Sequence, residues 1–553
     1  MTFPAPLPLA AFTGVSWAIL GLYFLLMLGV GLAVSRGKQN AHEYFLGGRS
    51  LPTWALAVSI VATTLSAATF VGVPDQVYLG DISYLSIYFG TFVGVVVVGL
   101  LFVPKLYRAG TVTIYGYLCP RFGETGVVAV SCTFLVGRLL ASGSRLFMAA
   151  VPLALMLFGT SPEEHRGNLV LAIAMIGVLG IFYTVKGGIR AVIWTDAIQL
   201  VLVIGTALLT IWILTHRIPL TAGQIWDVVS KPGTGVGAGS KLNFVDTTFS
   251  WSKPYTIWAC LLGYTWLTLA TYGVDHDFAQ RFMISKSATR GALSVIGSQF
   301  ITVAVVLLFM TVGVLLYVFY RRPDLMGAAH PGYTPAGKLD AAYPMFLLRE
   351  LNPVFAGLAI AGFFAIAQGS MDSAINAMAS SAVADLYFPI RRRLGYRDDV
   401  SKATTAPKVA VLVIGLLMVL FAVALAALYD AKNQSLLDFA LGVMTFAFAG
   451  MLGVFLTALF TPRGNGVSCV LALVAGAVAI TLLQDSVLGA WTTRLFGAPF
   501  KLAWPWWMPI GTSVAFAVCV AGRPPAVEHA AEHGFDVIVP ATIGSVAAEP
   551  ATA

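Results

Sequence analysis

Long apolar runs recur along almost the whole chain and are separated by shorter polar stretches. Thirteen of them are long enough to consider as membrane helices, at 15–35, 51–75, 82–104, 124–158, 168–185, 191–214, 255–275, 291–320, 353–385, 407–428, 436–461, 466–484 and 504–522. A helix needs about 20 apolar residues to cross a bilayer, and the longer runs indicate tilt or extension beyond it. The pattern predicts an all-α polytopic membrane protein with about thirteen spanning helices, numbered here in chain order.

The composition supports this class and excludes others. The 553 residues are 58% hydrophobic and only 10% charged, with a mean hydropathy of +0.84, whereas soluble domains are about 25% charged. This excludes a disordered chain and a disulfide-stapled secreted domain. Five scattered cysteines without a CxxC motif indicate neither a zinc site nor a disulfide framework. The net charge of +8 is attributed to loops rather than to a nucleic-acid-binding surface.

Basic residues alternate between the two sides of the predicted bundle. The loop after helix 1 contains Arg36, and every second loop after it is again basic, including those with Arg281 and Arg391. Because short cytoplasmic loops are enriched in Lys and Arg, the N-terminus is expected outside and the C-terminus inside. The polar tail 523–553 is then a disordered cytoplasmic segment. We expect a multi-pass protein of a bacterial-type inner membrane, without a removable signal peptide.

Four charged residues lie deep within apolar helices. They are Arg138 and Arg145 in helix 4, Asp196 in helix 6 and Asp372 in helix 9. Charges within a bilayer are costly unless they are paired or functional. Because these four charges sum to zero, mutual pairing is expected, with either a structural or a transport role.

Helix 2 contains an unusual polar segment. Residues 62–69 read Ala-Thr-Thr-Leu-Ser-Ala-Ala-Thr and are followed by Gly72 and Pro74. Such a segment serves either close helix packing or a break whose freed carbonyls bind a cation. At 1.5 Å per residue, Ala62 to Leu65 lie about 17–21 Å from the inner surface and Ser370 of helix 9 about 22 Å. These hard oxygen donors, at one level near the midplane, favour Na⁺ over a transition metal.

Several stretches resemble the sodium:solute symporter family, whose members carry sugars, proline, pantothenate, iodide or sialic acid. They are Tyr44-Phe-Leu-Gly-Gly-Arg-Ser50, Phe70-Val-Gly72, Gly187-Gly-Ile-Arg-Ala-Val-Ile-Trp-Thr-Asp-Ala-Ile-Gln199, Gln280-Arg281, and Ser370-Met-Asp-Ser-Ala-Ile-Asn376 with Asp385-Leu-Tyr387. The resemblance implies the 5+5 inverted-repeat fold of the leucine-transporter type. A single transporter domain, 1–522, would then consist of an extra helix 1, repeats at about 51–214 and 255–461, and two further helices at 466–522.

The resemblance also implies cation sites. The positions that match the family's main sodium site are Ala62, Leu65, Ile366, Gly369 and Ser370. Gly369 departs from the hydroxyl usual there, so restoring a serine at 369 is expected to tighten Na⁺ binding. A second sodium, present in a subset of the family, would be held by Asp196, Asp372 and Ser373.

The solute positions follow from the same resemblance. Sugar-binding members use a His and a Glu where this chain has Thr69 and Tyr88, which argues against that type of sugar site. Sialic acid members use hydroxyls at positions matching Thr64, Ser66 and Thr69, with an arginine from helix 4, here Arg145 or Arg138. Asp75, at the outer end of helix 2, is the one alternative partner for Arg145. If no acid pairs with Arg145, the missing anion is a solute carboxylate.

These features lead to one hypothesis and several alternatives. We expect a monomeric symporter, not an enzyme, that imports a small organic solute with Na⁺ as the coupling ion and without a cofactor. Carboxylates such as sialic acid or a monocarboxylate are favoured, with sugars or amino acids as alternatives. Proton coupling through Asp372 or Asp196 is a further alternative. A membrane enzyme or a sensor is disfavoured, because the histidines lie outside the apolar runs and the tail is short.

Overall fold

The computed structural model describes residues 13–34, 41–159, 165–231, 240–326, 342–396, 405–428 and 436–524. This part of the chain is almost entirely helical and has no strand, only an isolated bridge between Asp246 and Thr256. The helices of the bundle are α1 (Gly14–Val34), α2 (Thr53–Thr64 and Thr69–Leu79), α3 (Ile82–Arg108), α4 (Ile114–Phe158), α5 and α6 (together Arg166–Arg217), α7 (Ala259–Tyr264, Thr265–Gly273 and His276–Met283), α8 (Ala288–Arg321), α9 (Pro353–Arg393), α10 (Ala406–Leu428), α11 (Leu436–Phe460), α12 (Gly466–Leu483) and α13 (Trp504–Ala521). Shorter helices in the connections are Ala41–Leu46, Ala222–Ser230, Pro323–Met326, Ala342–Arg349 and Asp485–Phe496.

Each predicted span corresponds to a helix. Among the described residues, nine helices are long and apolar enough to cross a membrane, or ten with the bent α2 taken as one span. The 52 residues of Arg166–Arg217 extend about 78 Å at 1.5 Å per residue, enough for two crossings. Gly188 divides them, because its φ of 56° interrupts the helix. Two predicted spans remain. One is α7, which is divided into short helices, and the other is α11, whose described apolar part is Thr445–Phe460. The all-α polytopic prediction is confirmed.

The first helix of each predicted repeat is interrupted. The two halves of α2 meet at 72°. In α7 the interruption lies at Asp275, whose backbone is extended at φ −84° and ψ 118°, and a second half begins at His276. Equivalent breaks in α2 and α7 agree with an inverted repeat. The first part of α7 ends at Gly273, close to the predicted end at residue 275, and the short helix His276–Met283 follows it.

The centre of the bundle is α9. Every residue from Ala359 to Ser381 is buried, and the helix packs against α1, α4, α5 and α6. Glycine and alanine allow these close approaches; Gly362, for example, faces Thr206 of α6. By contrast, α1 exposes much of its apolar surface, as expected of a lipid-facing helix. Polar groups of α9 are therefore shielded from lipid.

The connection before α7 is anchored to the far end of α2 by Lys241. Its ammonium donates hydrogen bonds to the carbonyls of Tyr78, at 3.1 Å, and Gly80, at 2.6 Å, and lies 4.2 Å from the centre of the Tyr317 ring. Burial lowers the pKa of Lys241 to about 8. A cation at a helix C-terminus is electrostatically favourable, so this contact stabilises the second half of α2.

Candidate cation and solute sites

The break in α2 releases two carbonyls. The first half ends at Thr64, and Leu65 is extended with φ −70° and ψ 141°. The amide of Ser66 donates to Thr69 Oγ1 at 3.4 Å, and the amide of Thr69 donates to Ser66 O at 2.8 Å. In a continuous helix, the amide of Ser66 would donate to the carbonyl of Ala62, and the amide of Thr69 to the carbonyl of Leu65. Neither of these hydrogen bonds forms. The carbonyl oxygens of Ala62 and Leu65 are therefore available to another ligand, as predicted for a broken helix.

A small cavity lies beside these carbonyls. It is lined by Ala62 and Leu65 of α2, Gln199, Leu200 and Val203 of α6, and Ala365 and Ile366 of α9. Three of the five residues predicted for the main sodium site therefore face one space. The fourth, Gly369, adjoins it, because a Cβ at that position would lie 3.6 Å from Ala62 O.

Ser370, the fifth predicted ligand, is oriented differently. Its hydroxyl donates to Ala367 O of the same helix at 3.2 Å, and the residue is buried. The donor is therefore satisfied within α9, while the lone pairs of the oxygen can still bind a cation.

No hydrogen bond connects the three residues predicted for a second sodium, Asp196, Asp372 and Ser373, within the described part of the chain. Asp196 Oδ2 accepts a hydrogen bond from Ser59 at 2.5 Å. Ser373 donates to Ser370 O at 3.3 Å and lies 3.5 Å from Asp277 Oδ2. The carboxylate of Asp372 instead lies against Gly180 of α5 and within electrostatic range of Tyr23 of α1. Asp196 therefore lies beside Gly369 of the main site, whereas neither oxygen of Asp372 accepts a hydrogen bond in the described part of the chain.

A buried ion-pair network connects α4, α6 and α7. Arg138 bonds to Asp275 at 2.8 Å and to Asp277. Arg281 bonds to Asp277 at 2.8 Å and lies 3.9 Å from Asp196 Oδ2. All of these side chains are fully buried. Such a network holds the second half of α7 against α4 and α6.

Two sequence-based expectations about these charges were wrong. Arg138 does not pair with Asp196 or Asp372, since its partners come from the break in α7. Arg281 does not lie in a loop, because it belongs to the helix His276–Met283 and is fully buried. The motif 275–281, Asp-His-Asp-Phe-Ala-Gln-Arg, is polar enough to read as a loop, although its paired acids and terminal arginine were a signal of buried ion pairs.

A second polar group lies beside the first half of α2. Thr64 Oγ1 lies 2.9 Å from the hydroxyl of Tyr272, which also accepts a hydrogen bond from Gln299 at 2.9 Å. Tyr88 is within electrostatic range of Tyr264 and Tyr272. The group therefore contains hydroxyls from α2, α3 and α7.

The other residues predicted to bind the solute differ in their contacts with this group. Arg145 of α4 is within electrostatic range of Tyr264. Ser66 and Thr69 bond to one another across the helix break. Sequence reasoning missed Tyr264, Tyr272 and Gln299, which are polar residues within apolar helices and could have been singled out on that ground.

A comparison with known families identifies this architecture. The family model of the sodium:solute symporter family matches residues 44–476, most of the chain and all of the residues discussed above from α2 to α9. The chain belongs to the sodium:solute symporter family. Among its family relatives, the sodium/sialic acid symporter SiaT of Proteus mirabilis is 27% identical over 474 residues, 84% of this chain and 88% of the relative. Human sodium-coupled monocarboxylate transporter 1 is 27% identical over 463 residues, 83% of this chain and 70% of the relative.

Solved structures have the same fold. A substrate-bound, outward-open structure of a Na⁺-coupled sialic acid symporter superposes with a TM-score of 0.74 at 24% identity, covering 93% of this chain and 99% of the other. The nucleobase-cation-symport transporter Mhp1, in a closed conformation, superposes with a TM-score of 0.51 at 14% identity, covering 88% and 94%. This symporter-family chain therefore has the inverted-repeat fold that the family resemblance implied.

Proposed function

We propose that this family member is a sodium-coupled symporter that imports a small carboxylate-bearing solute by alternating access. The observation that carries the proposal is the break in α2, which removes the helical donors of two carbonyls, on residues that line a small cavity. The named relatives supply the solute class. Sialic acid and monocarboxylates are both carboxylates.

The cation part of the proposal rests on the type of donor. Ala62 and Leu65 offer carbonyl oxygens, and Ser370 a hydroxyl oxygen, near the middle of the bundle. Among the described residues, no group of three or more His, Cys, Asp and Glu side chains could hold a metal. An all-oxygen donor set suits a hard cation, and Na⁺ is the coupling ion in the names of the relatives.

The part of the proposal that concerns the solute rests on the cluster of side-chain hydroxyls near Arg145. Thr64, Tyr88, Tyr264 and Tyr272 offer hydroxyls that can bond to a polar solute, while the guanidinium of Arg145 lies within range of Tyr264. Arginine binds carboxylates in a bidentate geometry. The solute would therefore place its carboxylate at Arg145 and its other polar groups along α2.

The two sites are joined by α2, which suggests how coupling occurs. Thr64 contacts Tyr272 of the solute group and lies between the predicted cation ligands Ala62 and Leu65. A cation bound at the break would fix the orientation of Thr64 and favour the outward-open state. Solute binding would then close the outer side, and movement of one bundle against the other would open the inside. Each Na⁺ gains about 2.3 kcal/mol per 100 mV of membrane potential.

The membrane orientation belongs to the same proposal. The distribution of basic residues in the loops supports an N-terminus outside and a C-terminus inside a bacterial-type inner membrane. Of the predicted tail, residues from 525 onward lie outside the described part of the chain, so its proposed disorder remains a prediction.

A thermal-shift screen tests the proposed function on purified protein. Sialic acid, lactate, glucose and proline are each titrated in NaCl and in choline chloride at fixed pH. A ligand that binds the folded state raises the melting temperature. We expect NaCl alone to raise it, and a carboxylate to raise it further only when Na⁺ is present. Stabilisation by glucose, but by none of the three carboxylate-bearing solutes, would contradict the assigned solute class.

Replacing Ser370 with alanine is expected to weaken Na⁺ binding about three- to tenfold, or about 0.7–1.4 kcal/mol, because one oxygen ligand is lost. The measurement is the Na⁺ concentration dependence of the melting temperature. Ser294 of α8 is a matched control, since its buried hydroxyl also donates only within its own helix, to Gly291 O. If Ser370→Ala and Ser294→Ala have the same Na⁺ dependence as wild type, Ser370 is not a ligand.

A further inference from the structure

Three oxygen atoms converge on the side of Gly369 where a side chain would project. A Cβ at this position would lie 2.9 Å from Gln199 Oε1, 3.5 Å from Asp196 Oδ1 and 3.6 Å from Ala62 O. They come from two helices: Ala62 from α2, just before its break, and Asp196 and Gln199 from successive turns of α6. The absence of a side chain at Gly369 leaves the space that they face.

The amide orientation of Gln199 is determined by its neighbours. Its Nε2 lies 3.4 Å from the hydroxyl of Tyr183 and its side chain also bonds to Tyr23. The Tyr23 hydroxyl donates to Gln368 Oε1 at 2.6 Å, so it accepts the hydrogen bond from Gln199. Because Nε2 donates to these tyrosine hydroxyls, the other atom of the amide, Oε1, points toward Gly369.

Two of the three oxygens lack a hydrogen-bond donor. Gln199 is 1% exposed and Asp196 is fully buried. Within the described part of the chain, neither Gln199 Oε1 nor Asp196 Oδ1 accepts a hydrogen bond. A buried acceptor without a partner costs about 1–3 kcal/mol, and such groups in native structures call for an explanation. Acceptors that converge without donors are complementary to a cation.

We propose that Gln199 is a cation ligand and that its Oε1 replaces the hydroxyl that Gly369 lacks. The inference rests on the proposed function and deepens it, because it completes the donor set of the main sodium site. Ala62 O, Gln199 Oε1 and Asp196 Oδ1 then bind one Na⁺ at the α2 break, with Asp196 supplying its negative charge. Gly369 and Gln199 are complementary, because the absence of a side chain at Gly369 leaves room for the amide oxygen of Gln199.

This pairing changes the expectation for a serine at position 369. The 2.9 Å separation from Gln199 Oε1 is too short for a Cβ, so Gly369→Ser must displace that oxygen. The substitution exchanges one ligand for another rather than adding one. It is therefore not expected to tighten Na⁺ binding in the wild-type background.

The test measures Na⁺ affinity by thermal shift on the purified full-length protein. Gln199→Met keeps the length of the side chain but removes its amide oxygen, and is expected to weaken Na⁺ binding at least tenfold. Gln280→Met is the matched control, since Gln280 is also a buried glutamine but its amide nitrogen donates to Phe45 O and Asn376 Oδ1. Gly369→Ser combined with Gln199→Ala is expected to restore Na⁺ affinity to within threefold of wild type, whereas Gln199→Ala alone remains weak.

The outcomes separate this inference from the proposed function. If wild-type protein shows no Na⁺-dependent stabilisation, the proposed coupling ion is wrong. If wild type responds to Na⁺ and Gln199→Met responds with the same midpoint, only the assignment of Gln199 is overturned. If Gln199→Met fails to fold, the double variant decides: Na⁺ affinity near wild type supports the exchange of ligands, and an affinity as weak as that of Gln199→Ala overturns it.

Discussion

Replacing Arg138 with methionine is expected to lower the free energy of unfolding by about 3–5 kcal/mol, because the change leaves buried carboxylates without their partner. Arg138 contacts Asp275 and Asp277, and all three side chains are fully buried. Asp277 also contacts Arg281. Removing one cation therefore disturbs the attachment of the second half of α7 to α4 and α6.

The measurement is the unfolding midpoint of purified variants in detergent. Arg393→Met is the control, because Arg393 forms an ion pair with Glu124 on the surface of the bundle, where it is 68% exposed. Exposed pairs contribute about 0–1 kcal/mol. Equal stability losses in the two variants would show that the buried network does not hold α7.

Replacing Arg145 with lysine is expected to raise the KM for a carboxylate solute at least tenfold. Lysine keeps the positive charge but loses the planar pair of donors that a carboxylate binds. The Na⁺ dependence should change little, since Arg145 does not line the cavity at the α2 break and lies within electrostatic range of Asp277, Asp275 and Tyr264. The change therefore separates solute recognition from cation binding.

Uptake kinetics in proteoliposomes and competition by unlabelled solutes check this prediction. Arg121→Lys is the control in the same helix, because Arg121 bonds to the backbone carbonyls of Thr457 and Ala458. Carboxylates should compete well and neutral sugars poorly. A neutral sugar that competes fully, together with wild-type kinetics for Arg145→Lys, would contradict the carboxylate assignment.

The break in α2 could be predicted because its cause is local. A run of small and hydroxylated residues stands out in an apolar helix, and depth arithmetic places it level with Ser370. The spans themselves were predictable for the same reason, since each is a continuous apolar run. The ends of the helices were less predictable. For example, α9 continues to Arg393, beyond the predicted end at 385. The thickness of the bilayer limits the length of the apolar run but not the length of the helix.

The partners of buried charges depend on tertiary contacts. Asp277 follows a helix break and is preceded by polar residues, so it resembles a loop in the sequence, yet it bonds to Arg138, which is 139 positions away. Gln199 was part of a recognised motif, but its oxygen became a candidate ligand only when α6 and α9 were seen to meet at Gly369. The missing hydroxyl at 369 could be read from the sequence, whereas its substitute could not.

The most direct test of the account is concentrative uptake by the full-length protein in proteoliposomes. Labelled sialic acid and lactate are supplied with an inward Na⁺ gradient, with choline in place of Na⁺, and with an inward proton gradient without Na⁺. The account predicts that at least one carboxylate accumulates above its external concentration only with the Na⁺ gradient, and faster when the interior is negative. Equal accumulation driven by the proton gradient without Na⁺ would contradict sodium coupling.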